Sequence, residues 1–322
     1  MTNQQLTDTV LMIQPVKFGY NVETAENNHY QQLLTAVSPQ EIQQRARAEF
    51  DQFVATLRAN EINVITVEDT TERDTPDSIF PNNWISFHED GTVVTYPMWA
   101  PNRRLERRED IVDILQAEHG FLVTRKIDYS RFEQEEKYLE GTGSVVLDRK
   151  KRIAYACVSA RTHLHILEEF CAEFGFRPVV FIASQMREEG FAEIYHTNVM
   201  MSVGEDIAIF CGEAVKNKWE REQVLDIIRE SGKHVLLISE NQCNHFAGNM
   251  LQVKNRRGEN ILVMSEQAYQ SLTPEQIETL EQRTAILYSP LTTIEACGGG
   301  SARCMMAEIF LPTSKPPDTE KA

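Results

Sequence analysis

What the chain has little of narrows its roles first. Basic residues are scarce: 32 Lys and Arg face 48 Asp and Glu over 322 residues, a formal net charge of -16. Nucleic-acid surfaces and anionic membranes both demand clustered Lys and Arg, so neither is an expected partner. No apolar run approaches the length of a membrane span. The stretch from Met1 has no basic segment, and the apolar residues Val10 to Ile13 are too few for a signal core. Cytoplasm is therefore the expected compartment. The six cysteines (Cys157, Cys171, Cys211, Cys243, Cys297 and Cys304) are scattered without a CxxC pair and read as reduced thiols. Ligand-spaced sets of His, Cys and Asp are also lacking, and His163 and His165 would lie on different faces of a helix. Neither a metal nor an organic cofactor is expected.

What is there is a repeat. Residues 84–88 and 92–96 read as two strands joined at Asp90-Gly91, followed by a charged helix over 104–118 and a strand at 121–124. The same order recurs at 144–147, 153–156, 162–174 and 178–182, and again at 197–203, 207–210, 218–230 and 234–238. A fourth copy runs through 250–253, 261–264, a helix opening at Thr273-Pro274, and 285–288. The fifth is split: strands at 293–296 and 305–311 are completed by a helix at 39–60 and a strand at 63–67. A chain that borrows its first segment to finish its last repeat closes a ring. The expected architecture is α/β: a single domain over 1–322, a five-bladed ββαβ propeller with pseudo-fivefold symmetry. An open doubly wound sheet, the competing reading, would use βαβ crossovers without the paired hairpins.

Polar clusters fall at one phase of this repeat. They are Phe80-Pro-Asn-Asn-Trp84, Glu140-Gly-Thr-Gly-Ser144, His196-Thr-Asn-Val199, His245-Phe-Ala-Gly-Asn249 and Cys297-Gly-Gly-Gly-Ser-Ala-Arg-Cys304. In a closed ring that phase is one mouth of the channel, so five distant segments converge on one pocket. Cys304 follows a glycine run, which permits close backbone approach and offers N–H groups to a developing anion. Cys297 reads as an inert residue ending an apolar strand. His196 is either a structural strand-start residue or the proton shuttle of a Cys–His pair. Glu140 is either a turn acid in solvent or a carboxylate beside exposed backbone. Phe80, Asn82, Asn83, Asn198 and Asn249 belong to the same shell, and Arg103 or Arg303 is the nearest partner for a substrate carboxylate.

With these motifs in place the chain resembles the guanidino-modifying, or pentein, enzymes, which include arginine deiminase, dimethylarginine dimethylaminohydrolase and the amidinotransferases. Their sites carry a Glu/Asp-Gly-Gly-Asp turn, a His-x-Asp strand start and a late Cys after glycines. The corresponding segments here are Glu140 to Ser144, His196 to Asn198 and Gly298 to Cys304. The resemblance implies the fivefold propeller, Cys304 as nucleophile, His196 as acid and base, and Glu140 as the acid beside them. It departs from the deiminases at Asn198 and at Asn82-Asn83, where those enzymes place acids that clamp a guanidinium. Amides suit a neutral group with both donors and acceptors. Together with Asp77 to Trp84 and Asn102 to Arg108, which resemble the citrulline-utilisation hydrolases, this implies cleavage of citrulline to ornithine, carbon dioxide and ammonia through a carbamoyl-Cys304. The alternatives are hydrolysis of a guanidino group, as in arginine deiminase or dimethylarginine dimethylaminohydrolase, and a non-catalytic binding scaffold. The expected partner is a small amino acid; self-association is open.

Overall fold

The computed structural model describes residues 4–187 and 190–314. The first residues of the N-terminal reading, 1–3, and the end of the single-domain span, 315–322, lie outside them.

Five three-stranded sheets share one topology. In the first, Ile85–Phe87 runs antiparallel to Thr92–Thr95, which pairs in parallel with Arg125–Asp128. The second joins Val145–Asp148, Ile153–Cys157 and Arg177–Phe181 in the same way. Met201–Val203, Ile207–Phe210 and His234–Leu237 form the third, and Leu251–Lys254, Asn260–Ser265 and Ala285–Ser289 the fourth. Each parallel pair needs a crossover, and helices supply it: Asp110–Ala117, Leu164–Phe174, Lys218–Glu230 and Pro274–Glu281. The helices carry their own start signals. Asn217 accepts from the N–H groups of Trp219 and Glu220, and Thr273 with Gln276 closes a capping box ahead of Pro274.

The fifth sheet is the split one. Ala307–Glu308 lies antiparallel to Thr9–Gln14, which pairs in parallel with Asn63–Glu68 across the helix Pro39–Ala59. Ile42, Ala46, Phe50, Phe53, Val54 and Leu57 form that helix's buried stripe. Contacts run from each sheet unit to the next and from Ala307–Glu308 back to Ile85–Phe87. A separate hairpin, Ser184–Arg187 with Gly190–Glu193, leads into the His196 segment.

Five expectations need correction. The middle strand of the fifth unit is Thr9–Gln14, whereas residues 293–296 lie in a helix, Thr292–Gly298. The Glu49 carboxylate accepts the N–H groups of Thr293 and Ile294 and so starts that helix from another part of the chain. Cys297 is accordingly helical and buried, not the end of a strand. The last strand of the first unit is Arg125–Asp128, while Phe121 pairs antiparallel with Thr313 in an isolated bridge. The helix over 104–118 is broken into a 3-10 turn, Pro101–Glu106, and Asp110–Ala117. The segment from Thr197 begins with a helical turn, Thr197–Met200, before its strand.

Candidate active site

The turns that precede the first strands are short helical segments, Pro81–Asn83, Gly141–Ser144 and Thr197–Met200, or tight bends. They bring their side chains to one cavity lined by Asp77, Phe80, Asn83, Arg161, His196 and Cys304. Arg103, Asn28, Tyr195, Gly298 and Gly300 complete the wall. Free space inside is about 10 Å³, roughly one water. Asn28 ties this wall to the glycine run. The Asn28 amide donates to the Gly298 and Gly299 carbonyls, Tyr195 to Gly299 and Gln31 to Cys297. The glycine run has a second reason for being there. A Cβ on Gly298 or Gly300 would lie 2.8 or 2.9 Å from the Phe80 ring, so only glycine lets that ring rest against the backbone.

Cys304 is 2% exposed, and its sulfur receives two amide donors: Asn249 Nδ2 at 3.2 Å and Asn198 Nδ2 at 3.5 Å. The Asn249 orientation is fixed, because its Oδ1 accepts the Arg303 backbone N–H at 3.1 Å. His196 Nε2 stands 2.8 Å from Glu140 Oε2. A carboxylate only accepts, so Nε2 carries the hydrogen and Nδ1 keeps its lone pair. Burial pushes the imidazole down to about 4 despite the pull of Glu140. It is therefore neutral at pH 7 and able to take a proton. Glu140 is fully buried. Burial alone would raise its carboxyl, but Arg161, His196 and Arg103 outweigh it and hold the group ionised well below the usual carboxylate range. Its other oxygen, Oε1, accepts the Trp99 N–H at 2.9 Å.

Arg103 lines the cavity but is committed. Its Nε and Nη2 meet Glu106 at 2.9 Å each, Nη1 meets the Asn83 oxygen at 2.9 Å, and Nη2 also reaches the Phe80 carbonyl. Arginine can only donate, so Asn83 must turn its oxygen to Arg103 and its NH₂ the other way. Among the described residues that Asn83 Nδ2 has no partner, and neither does Asp77 Oδ1; both are buried in cavity-lining residues. Asp77 Oδ2 takes Asn21 and Thr24, and burial raises the Asp77 carboxyl above its ordinary value.

Five expected residues lie off the cavity wall: Glu140, Asn198 and Asn249 stand behind it, bonded to His196 or the Cys304 sulfur, while Arg303 and Asn82 turn away. Arg303 points its guanidinium to the Met306 carbonyl and, at 2.7 Å, to Glu308. Asn82 turns aside to Thr142 at 3.2 Å. Four wall residues escaped the sequence reading, Asn28 among them. Asp77 stands within a quoted motif without a role, while Tyr195 is the neighbour of His196. Arg161 lies in a loop with no motif around it; it bonds Asn27, the Thr24 carbonyl and Glu140, and stacks over Tyr195.

Residues 14–311 match the family model described as N,N dimethylarginine dimethylhydrolase, eukaryotic. The chain belongs to this family. It is thereby a member of the guanidino-modifying pentein superfamily. No curated protein sequence matches it. Among solved structures it is similar to the N-terminal domain of ArgZ with bound substrate, an arginine dihydrolase from the ornithine-ammonia cycle in cyanobacteria. Identity is 18% and the TM-score 0.69, over 94% of this chain and 97% of that one. Unliganded AgrE is 18% identical with a TM-score of 0.69, over 95% of this chain and 40% of that one. A dimethylarginine dimethylaminohydrolase adduct with S-methyl-L-thiocitrulline is 13% identical with a TM-score of 0.61, over 94% and 100%. These likenesses establish an α/β fold of the same type.

Among the described residues no group of three or more His, Cys, Asp or Glu is placed to hold a metal ion. No described helix is long and apolar enough to cross a membrane.

Proposed function

We propose that the chain is a cytoplasmic cysteine hydrolase that cleaves the ureido group of free citrulline, built as one five-bladed ββαβ propeller. The five sheets of common topology and their contacts from the fifth back to the first support the propeller. Family membership supports hydrolysis at a ureido or guanidino carbon. One observation carries the choice between the two: Arg103 fixes the Asn83 amide with its NH₂ unpartnered. A ureido oxygen accepts from that NH₂, and ureido N–H groups donate to Asp77 Oδ1. A guanidinium has only donors, so it would leave Asn83 Nδ2 facing another donor. An unmet buried donor costs about 1–3 kcal/mol, roughly ten- to a hundredfold against arginine.

Substrate entry requires the cavity to open. The Cys304 sulfur attacks the ureido carbon as His196 Nδ1 takes the thiol proton, and the Asn83 NH₂ meets the oxygen as it becomes anionic. The tetrahedral adduct collapses by breaking the bond to the ornithine nitrogen, to which His196 returns the proton. Carbamoyl-Cys304 remains. His196 then deprotonates a water that attacks the same carbon, the C–S bond breaks, and the thiolate recovers the proton. Carbamate decomposes to carbon dioxide and ammonia. Glu140 holds the Nε2–H tautomer throughout, keeping the Nδ1 lone pair available.

A guanidino substrate remains the second reading, favoured by the family description and by the unpartnered Asp77 oxygen. Side-by-side product assays on citrulline, arginine, dimethylarginine and agmatine separate the two. Ornithine and ammonia from citrulline are expected. Citrulline accumulating from arginine or dimethylarginine, with no turnover of citrulline, would return the chain to the guanidino hydrolases.

A further inference from the structure

The strands Ile85–Phe87 and Val145–Asp148 begin beside the Cys304 cavity: Asn83 lines it, and Gly143 packs against Asn83 and His196. At their other ends, around the turns at His88 and Arg149, lies a second cavity of about 170 Å³. Strands of three and four residues at about 3.3 Å each separate the two by roughly 10–13 Å.

Arg149 makes this cavity unusual. It is 8% exposed, and its guanidinium rests over the Phe310 ring at 4.0 Å. Among the described residues that guanidinium has no hydrogen bond and no ion pair; only the backbone N–H of Arg149 is engaged, by Gln5. The other deeply buried arginines are all met: Arg103 by Glu106, Arg161 by Asn27 and Glu140, Arg303 by Glu308. The Arg149 guanidinium nitrogens open onto the cavity and offer five donors and a charge to whatever occupies it. Burial lowers the Arg149 pKa.

The remaining wall defines what would meet it. Glu173 is taken by Arg125 at 2.7 Å, and Asp90 accepts the Thr92 N–H while facing Arg125 at 4.0 Å. Arg152 donates to the Phe174 carbonyl and stacks over Phe176. His88 stacks on Phe174 at 4.1 Å, and burial pushes its pKa well down, so it is neutral. Glu89 has no ion pair among the described residues; its Oε1 accepts one backbone N–H, from Gln4. One cation and one anion are thus left facing a space bordered by aromatic rings.

We propose that this cavity is a second binding site, for a small α-amino acid whose carboxylate is held by Arg149 and whose ammonium faces Glu89. An apolar side chain then lies against Phe174 and Phe176. The assignment stands apart from the chemistry at Cys304, because it rests on no residue of that site.

L-valine, which has neither a ureido nor a guanidino group, is the probe. Calorimetric titration of the intact chain should show binding that weakens at least about tenfold in Arg149→Met and is largely retained in Arg149→Lys. Propionate and propylamine, each lacking one of the two charges, should bind more weakly than valine. Equal valine affinity in wild type and Arg149→Met, or no binding to the wild type at millimolar valine, overturns the proposal. Should the variants fail to fold, a crystal of the wild-type chain soaked with valine decides. Density joining Arg149 and Glu89 supports the site, whereas valine only at the Cys304 cavity, or nowhere, overturns it.

Discussion

Gly143→Ala tests whether the catalytic geometry is as tightly packed as the structure requires. Gly143 does not occupy the left-handed backbone region, so an alanine meets no conformational objection there. The objection is spatial. Its Cβ would lie 2.5 Å from Asn83 Nδ2, 2.8 Å from His196 Nδ1 and 2.9 Å from Cε1 of that ring. Ordinary contact begins at 3.4 Å, so Asn83 would have to retreat by 3.4 − 2.5 = 0.9 Å and His196 by 3.4 − 2.8 = 0.6 Å. Neither has free room. Asn83 is tied to Arg103 at 2.9 Å and His196 to Glu140 at 2.8 Å, and all four side chains are buried. Overpacking of this kind costs about 1–3 kcal/mol of stability. A displacement approaching 1 Å at a reacting group costs about a hundredfold in rate. The variant should therefore fold, melt a few degrees lower and lose about two orders of magnitude in kcat/KM. Steady-state kinetics and a thermal melt measure both. Activity within threefold of wild type would show that His196 and Asn83 are not held as described.

Cys304→Ala should abolish turnover with the circular dichroism spectrum unchanged, whereas Cys297→Ala, in the core of its helix, should keep most activity. Asn83→Asp replaces the free donor with an acceptor, so kcat/KM for arginine relative to citrulline should rise at least about tenfold; an unchanged ratio would remove Asn83 from selectivity. Asn198→Asp sets a carboxylate beside the Cys304 sulfur and should slow iodoacetamide labelling of that residue at pH 7, read by peptide mapping. The folded chain holds His196 at about 4, against about 6.5 unfolded. The unfolded chain thus binds the extra proton between those values. This contribution to stability is whole above about pH 6.5 and is lost as pH falls to about 4, by roughly 3 kcal/mol. The depressed Glu140 carboxyl adds loss in the same direction at lower pH. Urea midpoints between pH 7 and 4 that do not fall would contradict a neutral, buried His196.

The hairpins of the first four repeat units and most of their helices were legible because their signals are local, as in the self-capped helix opening at Thr273-Pro274; the first unit's helix and last strand were not. The fifth was harder. Thr9–Gln14 finds its partner Ala307–Glu308 at the far end of the chain, and an apolar run does not announce so distant a neighbour. Helix Thr292–Gly298 begins with β-branched residues and draws its N-terminal acceptor from Glu49, so it looks like a strand locally. In the site, Glu140 and Cys304 stood out through nearby glycines, and His196 through the repeat phase it shares with them. Arg161 and Asp77 did not, since each acts through contacts made across the fold. Arg103 was read as a possible partner for a substrate carboxylate, and its engagement with Glu106, and so its hold on Asn83, is visible only in three dimensions.

The most direct test of the account is rapid acid quenching during citrulline turnover, followed by mass spectrometry of the Cys304 peptide. A single carbamoyl group on Cys304, formed and lost at rates compatible with turnover and absent with arginine, is the predicted result. Turnover of citrulline with no adduct, or an adduct on another residue, would contradict Cys304 as the nucleophile. An adduct that forms only with arginine or dimethylarginine would contradict the ureido assignment.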